Sequence, residues 1–157
     1  MIAIGQSLPL GEFTFITQEG KQVQDSQALF ASKKVVLFAV PGAFTPTCSN
    51  AHLPGYVALA DQFRAKGVDA LYCLSVNDAF VMKAWQAAQD ADAITMLADG
   101  DGSWTRALGL AKETGAFGGI RAQRFALIVN DGVVEQLFVE APGKFEVSAA
   151  ESLLAAL

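Results

Sequence analysis

Six consecutive apolar residues, Val35-Val-Leu-Phe-Ala-Val40, leave the segment without a polar face. A strand alternates its side chains between two faces, so this one must be covered on both. The demand is for an interior strand of a sheet with helices above and below it. Pro41 and Gly42 close the run, which is far shorter than the roughly 20 apolar residues a membrane span needs. At 157 residues, 52% of them hydrophobic and 17% charged, the chain can bury such a sheet as one domain over residues 1–157. A disordered chain has the opposite balance.

The remaining elements follow from patterning. Glu12–Thr17 alternates apolar and polar residues ahead of the turn-like Gln18–Lys21, which predicts an N-terminal hairpin. Tyr56–Lys66 has helical periodicity and stops at Gly67, a residue suited to the position just past a helix. Pro54 is expected to kink the segment that links this helix to the loop Ala43–Pro46. Val68–Val76 reads as a second buried strand, Asn77 or Asp78 can cap a helix over Ala79–Gln89, and Ile94–Ala98 is a third strand. A turn at Asp99–Gly102 and a short helix at Ser103–Leu108 come next, and the Gly-rich Gly115–Ile120 reads as a loop. Asp131-Gly132, between Arg124–Asn130 and Val133–Glu140, predicts a tight hairpin. Ser148 and Glu151 have capping-box spacing ahead of an apolar helix over Ser152–Leu157. This order suits an α/β, thioredoxin-like three-layer sandwich, a mixed central sheet with helices on both faces.

Eleven Lys and Arg against sixteen Asp and Glu give a net charge of −5 and a pI near 4.7. That balance argues against a nucleic-acid partner or an anionic membrane surface. The opening MIAIGQSLPLGEF has no basic stretch and no long apolar one, so no secretory leader is expected and the expected location is cytoplasmic. Two cysteines and one histidine cannot build a disulfide framework or a Cys/His zinc site, so neither metal nor cofactor is expected.

Cys48 follows the buried strand and the stiff loop Pro41-Gly-Ala-Phe-Thr45-Pro46-Thr47, in the first turn of a helix. Unpaired N–H groups and the helix dipole there favour a thiolate. Thr45 can aim its hydroxyl at whatever the sulfur attacks, and Pro41 can shield the sulfur without adding a donor. A buried, inert cysteine is the competing reading. His52, four residues on, shares the sulfur's face on a continuous helix, and a Cys–His pair would suit acyl transfer. Ala51 stands where a CxxC exchanger needs its second thiol.

PGAFTPTCSNAHLPGY, LSVNDAFVMKAW and RFALIVNDG together resemble the peroxiredoxins, and in particular their atypical type II, or type 5, group. The resemblance spans essentially the whole chain and includes the P-x-x-x-T-x-x-C motif as Pro41, Thr45 and Cys48. It implies a thiol peroxidase that reduces hydrogen peroxide and alkyl hydroperoxides, with Cys48 passing to sulfenic acid. It further implies that Thr45 and the N–H groups of Thr47 and Cys48 act as donors, and that an arginine opening the strand before an aromatic completes the site. Arg124-Phe125 matches that position, and Arg121 lies three residues earlier. His52 becomes a flanking structural residue, and Phe44 and Phe80, more than Trp85, become candidates for a homodimer surface. Residues 141–157 contain no resolving cysteine. Cys73 is therefore either a buried spectator, with glutathione, glutaredoxin or thioredoxin as outside reductant, or the partner in an internal disulfide. A redox-regulated binding or chaperone module with little turnover is the alternative function.

Overall fold

The computed structural model describes all 157 residues. The interior strand demanded by the apolar run is β3, Lys34–Ala39, buried at every position but the first. It lies at the centre of a five-stranded sheet. On one side it pairs in parallel with β4, Ala70–Ser75, which pairs in parallel with β5, Thr95–Ala98. On the other it pairs antiparallel with β8, Phe125–Asn130, which turns back through Asp131-Gly132 into β9, Val133–Val139. The sheet is mixed, and its two faces build separate cores.

One core gathers Val36, Phe38 and Cys73 from the sheet against α2, Leu53–Ala65, α3, Ala79–Ala88, and α5, Ala150–Ala155. The opposite core sets Val35, Leu37 and Leu74 against α1, Ser26–Phe30, α4, Ser103–Ala107, and Phe13 of the N-terminal hairpin. That hairpin is β1, Glu12–Thr17, paired with the exposed β2, Gly20–Asp25. The fold is the thioredoxin-like mixed α/β sandwich. Of the two capping candidates before α3, Asp78 accepts the Val81 N–H, while Asn77 is spent on the Ala43 N–H at 3.0 Å, bracing the active loop.

Three expectations need correction. Gly115–Ile120 is not simply a loop: β6, Ala111–Glu113, and β7, Ile120–Ala122, form a small hairpin around a short 3₁₀ turn. Each strand is too short and too polar to show a period. Pro54 does not kink a helix; it stands in the first turn of α2, behind a π turn at Cys48–His52. There the Leu53 N–H reaches back to the Cys48 carbonyl, and the widened turn receives a residue that has no N–H of its own. Ser148 does not cap the last helix. Its hydroxyl and N–H both go to the Glu140 carboxylate, and α5 begins after Ala149 without a side-chain cap.

Candidate active site

The site forms where β3 gives out. Pro41 cannot continue the ladder, and the chain turns through Gly42 and Ala43 to Phe44, which holds φ +63°. A bulky residue in the left-handed region costs on the order of 1–3 kcal/mol and persists only where the surroundings hold it. The Thr45 hydroxyl donates to the Gly42 carbonyl at 2.6 Å, and the Ser49 N–H returns to the Thr45 carbonyl at 2.9 Å. From the far side, Trp85 Nε1 donates to Ser49 Oγ at 3.0 Å. The turn that follows is thereby fixed at both ends, and it puts Cys48 fully inside the protein. The N–H groups of Thr47 and Cys48 find no acceptor in the chain.

Arg124 stands immediately before β8, and β8 lies beside β3, so the sheet itself carries the guanidinium to the sulfur. Nη2 donates to Cys48 Sγ at 3.2 Å, and Nη1 faces His52 Nδ1 at 2.7 Å. The Arg124 guanidinium carbon lies over the Phe145 ring, 5.7 Å from its centroid. Arg121 goes elsewhere: its Nη1 donates to the Pro41 carbonyl at 3.1 Å, and it lies over the Phe117 ring. The Arg121 guanidinium fills the space where Gly42 and Gly118 would carry a Cβ.

His52 is the residue that motif reading underrated. It is fully buried, and its Nε2 lies 3.0 Å from the Ser148 carbonyl, which also accepts from Tyr56 Oη at 2.7 Å. A carbonyl can only accept, so Nε2 carries the proton and Nδ1 offers its lone pair to Arg124. Burial first, and the Arg124 charge second, pull the imidazole down from its ordinary 6.5 to about 3. His52 is a neutral acceptor that orients the Arg124 fork, with both nitrogens committed away from Cys48. Its one sequence signal was the four-residue spacing, which suggested a partner for sulfur rather than for arginine. Behind it, burial would raise the Glu140 carboxyl. The hydroxyl and N–H of Ser148 and the Glu146 N–H outweigh that and hold it below the usual range.

Cys73 sits mid-strand in β4, level with Phe38 and Met96, and has no exposed surface. Burial, then the neighbouring Cys48, push its thiol well above the ordinary value. Phe44 and Phe80 are exposed at 56% and 68%, whereas Trp85 is buried, so only the first two can meet a partner. No group of three or more His, Cys, Asp or Glu side chains gathers where a metal ion could be held. No helix is long and apolar enough to cross a membrane.

The family model described as Redoxin matches residues 3–154. Peroxiredoxin-2C of Oryza sativa subsp. japonica is 48% identical, the match covering 99% of this chain and 98% of that protein. Peroxiredoxin-2B of Arabidopsis thaliana is 44% identical over the same shares. Among solved structures, reduced Prx3 of Vibrio vulnificus in complex with hydrogen peroxide superposes with a TM-score of 0.97 at 62% identity, covering 99% of both chains.

Proposed function

The chain belongs to the peroxiredoxins, within the Redoxin family, and is a thiol peroxidase; on that premise we propose that Cys48 is its peroxidatic thiolate and that glutathione, directly or through glutaredoxin, restores it. The carrying observation is the Arg124 Nη2 donor 3.2 Å from Cys48 Sγ. The thiolate attacks the terminal oxygen of hydrogen peroxide or an alkyl hydroperoxide. The O–O bond breaks, sulfur becomes sulfenic acid, and the departing oxygen takes a proton and leaves as water or alcohol. Negative charge moves from sulfur to that oxygen, so donors fixed along the line matter more than a base. Arg124 supplies them from one side, and the free N–H groups of Thr47 and Cys48 from the turn. Pro41 walls the sulfur and contributes no donor.

A first thiol then displaces the sulfenic oxygen as water, forming a mixed disulfide with Cys48, and a second thiol releases Cys48 as thiolate. The burial of Cys73 and its raised thiol support an outside reductant over an internal disulfide. We assign the chain to the atypical type II, or type 5, group, acting in the cytoplasm as a homodimer that pairs through Phe44 and Phe80. The acyl-transfer reading has no support, because both nitrogens of His52 are engaged elsewhere.

Intact mass after one equivalent of peroxide, with and without glutathione, tests the proposal alongside steady-state turnover. We expect Cys48→Ser to lose peroxide reduction, a glutathione adduct on wild type, and near-wild-type turnover of Cys73→Ser with glutathione and glutaredoxin. Thioredoxin should be the poorer donor. An internal Cys48–Cys73 disulfide in wild type, with loss of Cys73→Ser activity under every reductant, would make Cys73 the resolving residue.

A further inference from the structure

Beside the sulfur lies a cleft of about 430 Å³, within the size range of small-molecule sites. Its lining joins residues of the reaction centre, Pro41, Thr47 and Arg124, to Lys112 and Lys144. We propose that this cleft holds the carboxylates of the small acidic thiol that reduces oxidised Cys48, with Lys112 and Lys144 as its anion-binding pair. The proposal rests on the reading that an outside thiol of the glutathione class is the reductant.

The charges of the cleft are unevenly committed. Arg124 is occupied by Cys48 and His52, and the Glu140 carboxylate is occupied by the Glu146 and Ser148 N–H groups and the Ser148 hydroxyl. Lys112 and Lys144 are exposed and unpaired; the two ion pairs of the chain are Lys34–Glu135 and Arg64–Asp61. On a chain of net charge −5, two free ammonium groups beside an arginine reverse the local sign. Glu113 does not cancel Lys112, because neighbours on a strand point to opposite faces. Lys144 is held ready: its N–H closes a turn on the Ala141 carbonyl at 2.9 Å, with Pro142 second and Gly143 third at φ +75°. That pairing of Pro and left-handed Gly is the pattern of a type II turn, formed before any ligand arrives.

The lining also selects. Beyond the two prolines, Ala141 is the one apolar side chain, so a long acyl hydroperoxide finds nothing to bury against. A compact polar molecule with carboxylates flanking a thiol fits the charge and the size. Held by the lysines, its sulfur is kept beside the turn that carries Cys48. There its thiolate attacks the sulfenic sulfur, the S–S bond forms as the S–O bond breaks, and the hydroxide leaves as water with the proton the thiol gave up.

The test uses the full chain and the double variant Lys112→Ala/Lys144→Ala, pre-oxidised with one equivalent of peroxide and then mixed with thiols in stopped flow. Glutathione and mercaptosuccinate serve as acidic probes and 2-mercaptoethanol as the neutral one, each rate normalised to its thiolate fraction. Wild type should favour the acidic thiols at low salt and lose the preference as ionic strength rises. The double variant should lose about fivefold to tenfold with acidic thiols only, the range expected of two exposed charge pairs, and Lys112→Arg/Lys144→Arg should keep most of the preference. Preference for mercaptosuccinate but not glutathione would leave the cleft standing and remove glutathione as reductant. No acidic preference in wild type, an unchanged double variant, or equal slowing with all three thiols would overturn the proposal.

Discussion

Thr45 directs its hydroxyl proton at the Gly42 carbonyl, so what it has left to offer a ligand is a lone pair. The motif reading made it a donor; with that proton engaged, we propose that it serves as an acceptor for the proton of an incoming peroxide. Thr45→Val keeps the volume and deletes that contact together with the brace on Gly42. By analogy with the loss of one polar contact to a reacting group, we expect the second-order rate with hydrogen peroxide to fall roughly 10²–10³-fold. Stopped-flow consumption of peroxide measures it, and an unchanged rate would reduce Thr45 to a loop brace. At this scale the meeting of Cys48 and Arg124 was legible, because a motif and a strand start mark them. The task of His52 was not. Its partners Arg124 and Ser148 lie 72 and 96 residues away, and only the folded sheet brings them together.

The loop from Pro41 to Thr47 is held from outside by Arg121, which ties the Pro41 carbonyl to the β6–β7 hairpin. A methyl group at Gly42 would fall on that guanidinium, so Gly42→Ala must displace it and free the carbonyl. We expect a destabilisation of about 1–3 kcal/mol, as for other overpacked sites, with a slower peroxide reaction. Urea unfolding and stopped flow on one preparation read both; wild-type values for each would show that Arg121 holds nothing. The larger elements were readable because each buries a long apolar face: β3, β4 and β8 as runs, α2 and α3 by period. The β6–β7 hairpin was not, since its three-residue strands are held by backbone pairing and by the Thr114 hydroxyl on the Gly119 carbonyl. Ser148 misled for a related reason. Its spacing to Glu151 was genuine, but a buried Glu140, eight residues earlier, offered its hydroxyl a charged acceptor instead.

Over the whole molecule, the buried titratable groups set the pH range in which the fold is stable, and each edge has a different author. On the alkaline side, Cys73 and Tyr56 are pushed well above their ordinary values, and Tyr72 is pushed up from 10.0 to about 12. The unfolded chain gives up these protons first, so stability falls as pH rises past about 9, the ordinary value of the thiol. On the acid side, a carboxyl held low, such as Glu140, costs stability only below its ordinary 4.5. Between that point and 6.5 one group acts: His52, kept neutral down to about 3. In this window the unfolded chain binds a proton that the folded chain refuses, so stability is full above 6.5 and declines as pH falls. At 1.36 kcal/mol per unit of pH, wild type should lose about 2 kcal/mol between pH 7.5 and pH 5. His52→Gln cannot titrate and should lose almost none over the same interval, even if it starts lower. Urea midpoints for both proteins at pH 7.5, 6 and 5 give the two slopes. Parallel slopes would mean that His52 does not hold its proton-free state in the fold. The lone pair offered to Arg124 would then be absent, and with it the account of how the guanidinium is aimed at Cys48.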